Sequence, residues 1–205
     1  MYLLTELHYN PGILYFQKAF EAEELLLEAQ EHYQKQSYRN RCHILTPQGV
    51  VPLSVPVIKG NSKTLITELK IDYSQRWTDI HWRTIRSAYG SAPFFEFYAD
   101  YLLDVYAQKP AFLFQLNLEL FRLQAKFIKL NKPIRLTQTY VTTPEPPVVD
   151  RRGTLHPKKE PDNLHLPPYQ QVFGKQFASN LSILDLLFNL GPEASSYLQN
   201  PAAFC

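Results

Sequence analysis

The chain contains 205 residues, enough for a single domain that buries most of its apolar surface without a disulfide or a metal. Its 21 Lys and Arg side chains nearly balance its 19 Asp and Glu side chains, so the composition predicts no nucleic-acid partner. Two cysteines, Cys42 and Cys205, exclude a disulfide scaffold, and no apolar run reaches the roughly 20 residues of a membrane span. Since the N-terminus lacks a signal-peptide pattern, we predict a cytoplasmic protein.

The first part of the chain predicts strands with one short helix between them. An apolar run at 2–9 predicts a strand that ends in the turn Asn10-Pro11-Gly12, and helical spacing of apolar residues follows. The segment 24–29 suits either a buried strand or a continuation of that helix. The segment 41–58 predicts a β-hairpin, and the segment 64–72 predicts a further strand.

The second part of the chain predicts mainly helices. Apolar spacings of three and four predict helices at 75–90 with Ser74 as N-cap, at 93–108, at 111–131, and as two short pieces within 180–198. A strand is predicted at 133–140. The proline-rich segment 142–168 holds few apolar residues and predicts a long loop of the kind that is often functional or mobile.

Strands and a hairpin precede the helices, which predicts an α+β fold. We expect a mixed β-sheet with an N-terminal hairpin region and a group of helices packed against it, in a single domain over 1–205. The sequence contains no GxGxxG, Walker or GxSxG motif and no CxxC pair, so no cofactor is predicted. Six histidines lack the close spacing of a helical metal site: 8, 32, 43, 81, 156 and 165. A metal site assembled from distant residues stays open.

The segment HYQKQSYRNRCHI at 32–44 is the densest polar stretch of the chain. Cys42 suits either a nucleophile activated by its neighbours or a small buried side chain, and we favour burial because adjacent strand residues point to opposite faces. Arg39 and Arg41 share one strand face and could bind a carboxylate or pyrophosphate. The alternative is a solvated face that pairs with Glu28 or Glu31.

A second candidate for chemistry is His81, which lies among Trp77, Trp82 and Ile85 on one predicted helix face. The imidazole could act as a general base. A histidine on a mostly apolar face is more often a hydrogen-bonded core residue, and both interpretations stay open.

Five stretches of the chain occur together in one order. They are YNPGILYF at 9–16, YQKQSYRNRC at 33–42, LSVPV at 53–57, Trp77 with HWRTIRSAYGSAPFFEFYAD at 81–100, and NLSILDLLFNLGPEASSYL at 180–198. In this order they resemble the WbqC-like protein family of bacteria. The family's Arg-Asn-Arg falls on 39–41, and its opening tyrosines and proline fall on Tyr9, Pro11 and Tyr15. Glu6-Leu7 replace the usual Gln-Pro start.

The resemblance implies a place in surface-polysaccharide and amino-sugar biosynthesis, since the family's genes typically lie among such genes. We therefore expect an acyl- or aminoacyl-transferase that acts on an amino sugar or similar amine, with a nucleotide-linked sugar or acyl carrier as a small-molecule partner. The residues implied for substrate binding are Lys35, Arg39, Asn40 and Arg41 for phosphate groups and Tyr9, Tyr15, Tyr33 and Tyr89 for the sugar. His81 is the preferred base, with His8 or His32 in reserve.

Two other functions are consistent with the residues. The chain could be a non-catalytic binding or assembly protein of the same pathway, docked through Arg151, Arg152, Lys158 and Lys159 in the long loop. It could also be a hydrolase that uses Cys42 with a distant histidine. A cysteine after Arg-Asn-Arg is not general to the family, which argues against that role.

Overall fold

A computed structural model describes residues 1–158, 166–174 and 176–204. The strands in this part of the chain are β1 (Tyr2–Glu6), β2 (Glu24–Glu28), β3 (Arg41–Thr46), β4 (Gly49–Ser54), β5 (Ile134–Leu136) and β6 (Val148–Asp150). The α-helices are α1 (Ile13–Glu21), α2 (Trp77–Tyr89), α3 (Phe95–Ala107), α4 (Leu113–Phe127), α5 (Ile183–Leu190) and α6 (Ala194–Gln199). None of these helices is both long enough and apolar enough to cross a membrane.

Four strands form a parallel sheet in the order β5-β2-β1-β6. The apolar runs of β1 and β2 pair in register, with Leu3 opposite Leu25 and Glu6 opposite Glu28. The helix α1 connects them, as a parallel pair requires a crossover. Because every pairing in this sheet is parallel, the carboxyl ends of its strands lie at one edge.

The strands β3 and β4 form a separate antiparallel hairpin. Thr46 pairs with Gly49 across the turn, and Gly49 has a φ of 107° that favours glycine. Pro52 lies within β4, which pairs only with β3 among the described strands, so its missing N–H breaks no second ladder. The hairpin predicted from the sequence is confirmed.

A single hydrophobic core includes residues from both sheets and from all six helices named above. At its centre, the rings of Phe16 and Phe121 stack with centroids 5.5 Å apart. The helix α5 starts after Ser182, whose hydroxyl accepts a hydrogen bond from the Leu184 N–H at 3.3 Å. The α+β class in one domain is confirmed, and strands of the two orientations lie in separate sheets.

The strand predicted at 64–72 was wrong. Its backbone bonds to three different segments in turn: Ile66 N–H donates to the Glu31 carbonyl, Ile71 N–H to the Ala111 carbonyl, and Asp72 N–H to the Pro56 carbonyl. No single neighbour runs alongside for long enough to form a ladder, so the segment contains isolated bridges and a short 3₁₀ turn at Ile66–Glu68.

The predicted N-cap of α2 was also wrong. The Ser74 hydroxyl donates to Asp72 at 2.6 Å, and the helix begins three residues later at Trp77. Within the segment 142–168, for which the sequence predicts a loop, Val148–Asp150 form β6 and pair with β1.

Candidate functional site

Polar side chains gather where the parallel strands end. Glu6 and Glu28 are the last residues of β1 and β2, and they lie opposite each other in the sheet. Two like charges in this position repel each other, and both side chains are almost fully buried. The carboxyl edge of a parallel sheet is also where ligands bind in many α/β proteins. This edge is therefore the first place to search for a site.

Two buried guanidinium groups compensate these carboxylates. Arg39 donates to both oxygens of Glu31, at 2.7 and 2.5 Å, and its Nη1 lies 3.6 Å from Glu6. Arg152 donates to Glu28 at 2.7 Å and to Asp150 at 2.6 Å. Bidentate pairs of this kind fix the orientation of both partners.

Glu6 has further partners at the same edge. His8 Nε2 lies 3.2 Å from one of its oxygens, and the Gly153 N–H donates to the carboxylate at 3.0 Å. Burial raises the pKa of Glu6, but the hydrogen bond and charge of His8, together with the charge of Arg39, lower it to about 2. Glu6 is therefore ionised at neutral pH.

Glu31 has a different electrostatic balance. Burial raises the pKa of Glu31, and this effect outweighs the opposing hydrogen bond and charge of Arg39. We refer to Glu6, His8, Glu28, Glu31, Arg39 and Arg152 as the carboxyl-edge cluster. Within it, Glu31 lines an adjoining cleft of about 380 Å³.

This opening is called the edge cleft below. The residues that line it are Gln30, Glu31, His32, Tyr33, Gln34, Ser62 and Tyr140. Tyr140 is 52% exposed, and the Arg152 guanidinium lies 4.5 Å from its ring centroid. The cleft thus combines one carboxylate, one imidazole, amide and hydroxyl groups and the rings of two tyrosines, a lining suited to a small polar ring-shaped ligand.

Several side chains that the sequence singled out meet at this edge. Tyr33 lines the edge cleft, and His8 and Arg39 belong to the carboxyl-edge cluster. The Tyr15 hydroxyl donates to the Glu6 carbonyl at 3.0 Å. Arg39 pairs with Glu31, as the alternative interpretation expected, but in a buried position and not on a solvated face.

The neighbouring polar residues of the same segment do not enter the cluster. The Asn40 amide donates to the Val55 carbonyl at 2.9 Å, and Arg41 Nε donates to the Ser54 hydroxyl at 3.1 Å. Lys35 is exposed. None of these three side chains lines the edge cleft, although the charge of Arg41 lowers the pKa of Tyr33 against the larger effect of burial.

Tyr9 and His81 form a separate buried hydrogen-bond chain. The side chains bonded in turn are those of Gln124, Asn10, Tyr106, Tyr9 and His81. Burial lowers the pKa of His81 to about 4, although the Ser54 carbonyl opposes this shift. His81 is thus a neutral, hydrogen-bonded core residue, the second of the two interpretations above.

Tyr89 lies outside both the carboxyl-edge cluster and the network around His81, between β3 and α5. Its hydroxyl accepts a hydrogen bond from the Leu45 N–H at 3.1 Å, and its ring contacts Phe188. Cys42 is buried nearby in the core, and burial raises the pKa of its thiol to about 12. A thiol with that pKa is protonated at neutral pH and a poor nucleophile.

Some sequence hypotheses concern residues outside the described part of the chain. These residues are Lys159, His165 and Cys205. Among the described residues, no group of three or more His, Cys, Asp or Glu side chains is arranged to hold a metal ion.

Sequence reasoning missed Glu6, Arg152 and Tyr140 as members of one site. One signal was present: the runs YLLTE and ELLLE both end in glutamate after buried leucines. A charge that ends each of two buried strands predicts a polar edge if the strands are parallel. The sequence did not reveal that pairing.

The comparisons with known proteins cover nearly the whole chain. The sequence profile of the WbqC-like protein family matches residues 7–149 and 161–197. The chain is 28% identical over 226 aligned positions to an uncharacterized protein, Rv1507c, of Mycobacterium tuberculosis, covering 96% of each chain. No solved structure matches. The chain belongs to the WbqC-like protein family.

Proposed function

We propose that this WbqC-like protein is an acyl- or aminoacyl-transferase that acts on an amino sugar or similar amine in bacterial surface-polysaccharide biosynthesis. The observation that carries the proposal is the position of Glu31 in the edge cleft beside Tyr33 and Tyr140. A carboxylate pairs with an ammonium group, aromatic rings pack against a sugar ring, and the amides of Gln30 and Gln34 suit its hydroxyls.

Acyl transfer to an amine requires that the amine first lose a proton. In the proposed step, the neutral nitrogen attacks the acyl carbonyl, the bond to the donor's leaving group breaks, and the leaving group departs with a proton. Glu31 is a suitable base because burial raises its pKa above that of an ordinary carboxyl group. His32, which also lines the edge cleft, is the second candidate.

The other residues predicted from the sequence take supporting roles in this proposal. Arg39 orients Glu31 through two hydrogen bonds, and Glu6 at the end of β1 bonds to His8 beside it. We assign phosphate groups of the acyl donor to Arg41 and Lys35, the cations of the same segment that lie outside the carboxyl-edge cluster. We assign no catalytic role to His81, because it is buried outside the edge cleft, its Nδ1 is bonded to Tyr9, and a pKa of about 4 makes it a weak base.

The test is an acyl-transfer assay with purified protein. A panel of acyl-coenzyme A and aminoacyl donors is offered with hexosamines, and mass spectrometry records the N-acylated product. We expect product from the wild type, at least a hundredfold less from Glu31→Gln, and wild-type amounts from Glu68→Gln, a control at an exposed glutamate. Arg41→Ala is expected to raise the KM for the donor.

Turnover that survives Glu31→Gln would contradict the proposed site. Tight binding of a hexosamine without turnover by any donor would favour the other candidate, a non-catalytic binding protein of the same pathway.

A further inference from the structure

We infer that the acceptor enters the edge cleft as an unphosphorylated ring that carries an ammonium group, with Glu31 as the counter-ion and Tyr140 as the surface on which the ring lies. The inference rests on the acceptor part of the proposed function. It is more specific, since it separates a free or glycosidically linked amino sugar from a sugar phosphate or nucleotide-linked sugar.

The first argument is the charge of the cleft wall. Among the described residues that line the edge cleft, Glu31 is the one acid, and neither lysine nor arginine is present. His32 and the two tyrosines are the remaining titratable groups. Lys35 and Lys63 are close in sequence to the cleft, but both are exposed and neither lines it. A phosphate in this cleft would face no lysine or arginine of the wall.

The second argument is that the guanidinium groups of the carboxyl-edge cluster already bond to protein groups, and that Arg41, assigned above to the acyl donor, does not line the edge cleft. Arg39 directs Nε and Nη2 at Glu31 and Nη1 toward Glu6. Arg152 donates to Glu28, to Asp150 and to the Val141 carbonyl. Arginine binds a phosphate through two free N–H donors, and neither Arg39 nor Arg152 has such a free pair directed at the cleft.

The third argument is the charge balance behind the wall. Four carboxylates, those of Glu6, Glu28, Glu31 and Asp150, surround the two guanidinium groups of Arg39 and Arg152. Glu6 and Asp150 are ionised, because their partners lower both pKa values. Even with His8, which pairs with Glu6, the four acidic groups outnumber the basic groups here, and a low-dielectric surrounding strengthens the preference for a cationic ligand.

The fourth argument is the fixed position of Tyr140. Its ring is half exposed, and the Arg152 guanidinium lies over the ring, 4.5 Å from its centroid. Arg152 itself is held by Glu28 and Asp150, and its side chain is 8% exposed. The ring therefore forms a preorganised surface beside the cleft, and it binds a ring-shaped ligand at a small entropic cost.

The experiment compares four probes by saturation-transfer NMR titration at pH 7 with the full chain. The probes are glucosamine, N-acetylglucosamine, glucosamine 6-phosphate and methylamine. We expect glucosamine to bind at least tenfold more tightly than the neutral N-acetyl form, and at least tenfold more tightly than the phosphate. Methylamine, which lacks a ring, should bind more weakly than glucosamine.

Two variants separate the contributions of the charge and the ring. Glu31→Gln should abolish the preference for glucosamine over N-acetylglucosamine, and Glu68→Gln should retain it. Because Glu31→Gln removes the main partner of buried Arg39 and can destabilise the protein, Tyr140→Ala provides an independent test at an exposed position. Tyr140→Ala should weaken the binding of glucosamine at least fivefold and leave the binding of methylamine unchanged.

Equal or tighter binding of glucosamine 6-phosphate, or of N-acetylglucosamine, would overturn the inference, as would failure of all four probes to bind. If the phosphorylated amine binds best and is acylated, the inference fails and the proposed function stands. If glucosamine binds as expected but no donor acylates it, the proposed function fails and the assignment of the cleft stands.

Discussion

The hydroxyl group of Tyr9 donates a hydrogen bond of 2.8 Å to Nδ1 of His81. We assign the hydrogen-bond direction from the tautomer: the backbone of Ser54 raises the pKa of His81, as a carbonyl near a ring N–H does, so the proton is placed on Nε2 and Nδ1 accepts. With that direction, the Tyr9 hydroxyl accepts a hydrogen bond from the Tyr106 hydroxyl at 2.8 Å, and the Tyr106 hydroxyl accepts one from the Asn10 amide at 3.3 Å. Every donor in this hydrogen-bond network has an acceptor when the imidazole is neutral. A proton on Nδ1 would leave two donors facing each other.

This arrangement predicts a loss of stability in acid. The folded pKa of His81 is about 4, and its ordinary value is 6.5, so the unfolded state binds a proton first as the pH falls. The contribution of neutral His81 is therefore complete above pH 6.5 and declines between pH 6.5 and 4. The loss should total about 3 kcal/mol, measured by urea unfolding across that range.

Other groups titrate in the same range, so the informative quantity is a difference between variants. The unfolding free energy of His81→Gln should depend less steeply on pH than that of the wild type. His32→Gln, at an exposed histidine, should keep the wild-type slope. Parallel pH profiles of the unfolding free energy for wild type and His81→Gln would show that folding does not lower the pKa of His81.

Tyr9→Phe should destabilise the protein at neutral pH. The change removes one donor and one acceptor and leaves both Nδ1 of His81 and the Tyr106 hydroxyl without their buried partner. We expect a loss of about 2–3 kcal/mol in the free energy of unfolding. Tyr73→Phe removes a single half-buried bond to the Pro110 carbonyl and should cost about 1 kcal/mol. Similar losses of unfolding free energy in Tyr9→Phe and Tyr73→Phe would argue against a coupled hydrogen-bond network around Tyr9.

Arg39→Met should be strongly destabilising. It leaves the buried Glu31 carboxylate without its cation and removes one cation near Glu6. We expect a loss of about 3–5 kcal/mol, measured by chemical unfolding. Arg76→Met removes an ion pair to Asp79 in which the arginine side chain is 78% exposed, and it should cost less than about 1 kcal/mol. A small loss for Arg39→Met would mean that water reaches the carboxyl-edge cluster.

Gly191→Ala tests the junction between α5 and α6. Gly191 has a φ of 54°, and a Cβ placed there would overlap the ring of Phe94. Backbone strain and steric overlap act together, so we expect a loss of about 4 kcal/mol in thermal or urea unfolding. Gly49→Ala isolates backbone strain, because Gly49 has a φ of 107° and open space around it. Gly49→Ala should lower the free energy of unfolding by about 1–2 kcal/mol. An equal loss at both positions would show that overlap with Phe94 contributes nothing.

Local pattern was sufficient for most of the helices and for the hairpin. Apolar residues at helical spacing predicted α3 within a few residues of its observed limits at Phe95 and Ala107. The hairpin predicted over 41–58 from local turn and strand signals is observed as the pair β3 and β4. Such signals act over a few neighbouring residues, so the sequence contains them directly.

Local pattern failed where the partners of a segment are distant. Residues 64–72 alternate like a strand, but their hydrogen bonds go to three separate segments. The strand β6 was missed because Val148–Asp150 is only three residues long and depends on β1 as its partner. Short elements of this kind are stabilised by tertiary packing, which overrides propensity.

The α+β class, the family and the chemical character of segment 32–44 follow from the sequence alone. What those residues contact depends on the fold. The sequence left Arg39 with either a ligand anion or a nearby glutamate as partner, and in the folded chain it binds Glu31 eight positions earlier, while Arg152 binds Glu28 across 124 positions. A buried charge requires a partner, and only the folded chain determines which oppositely charged group is within reach.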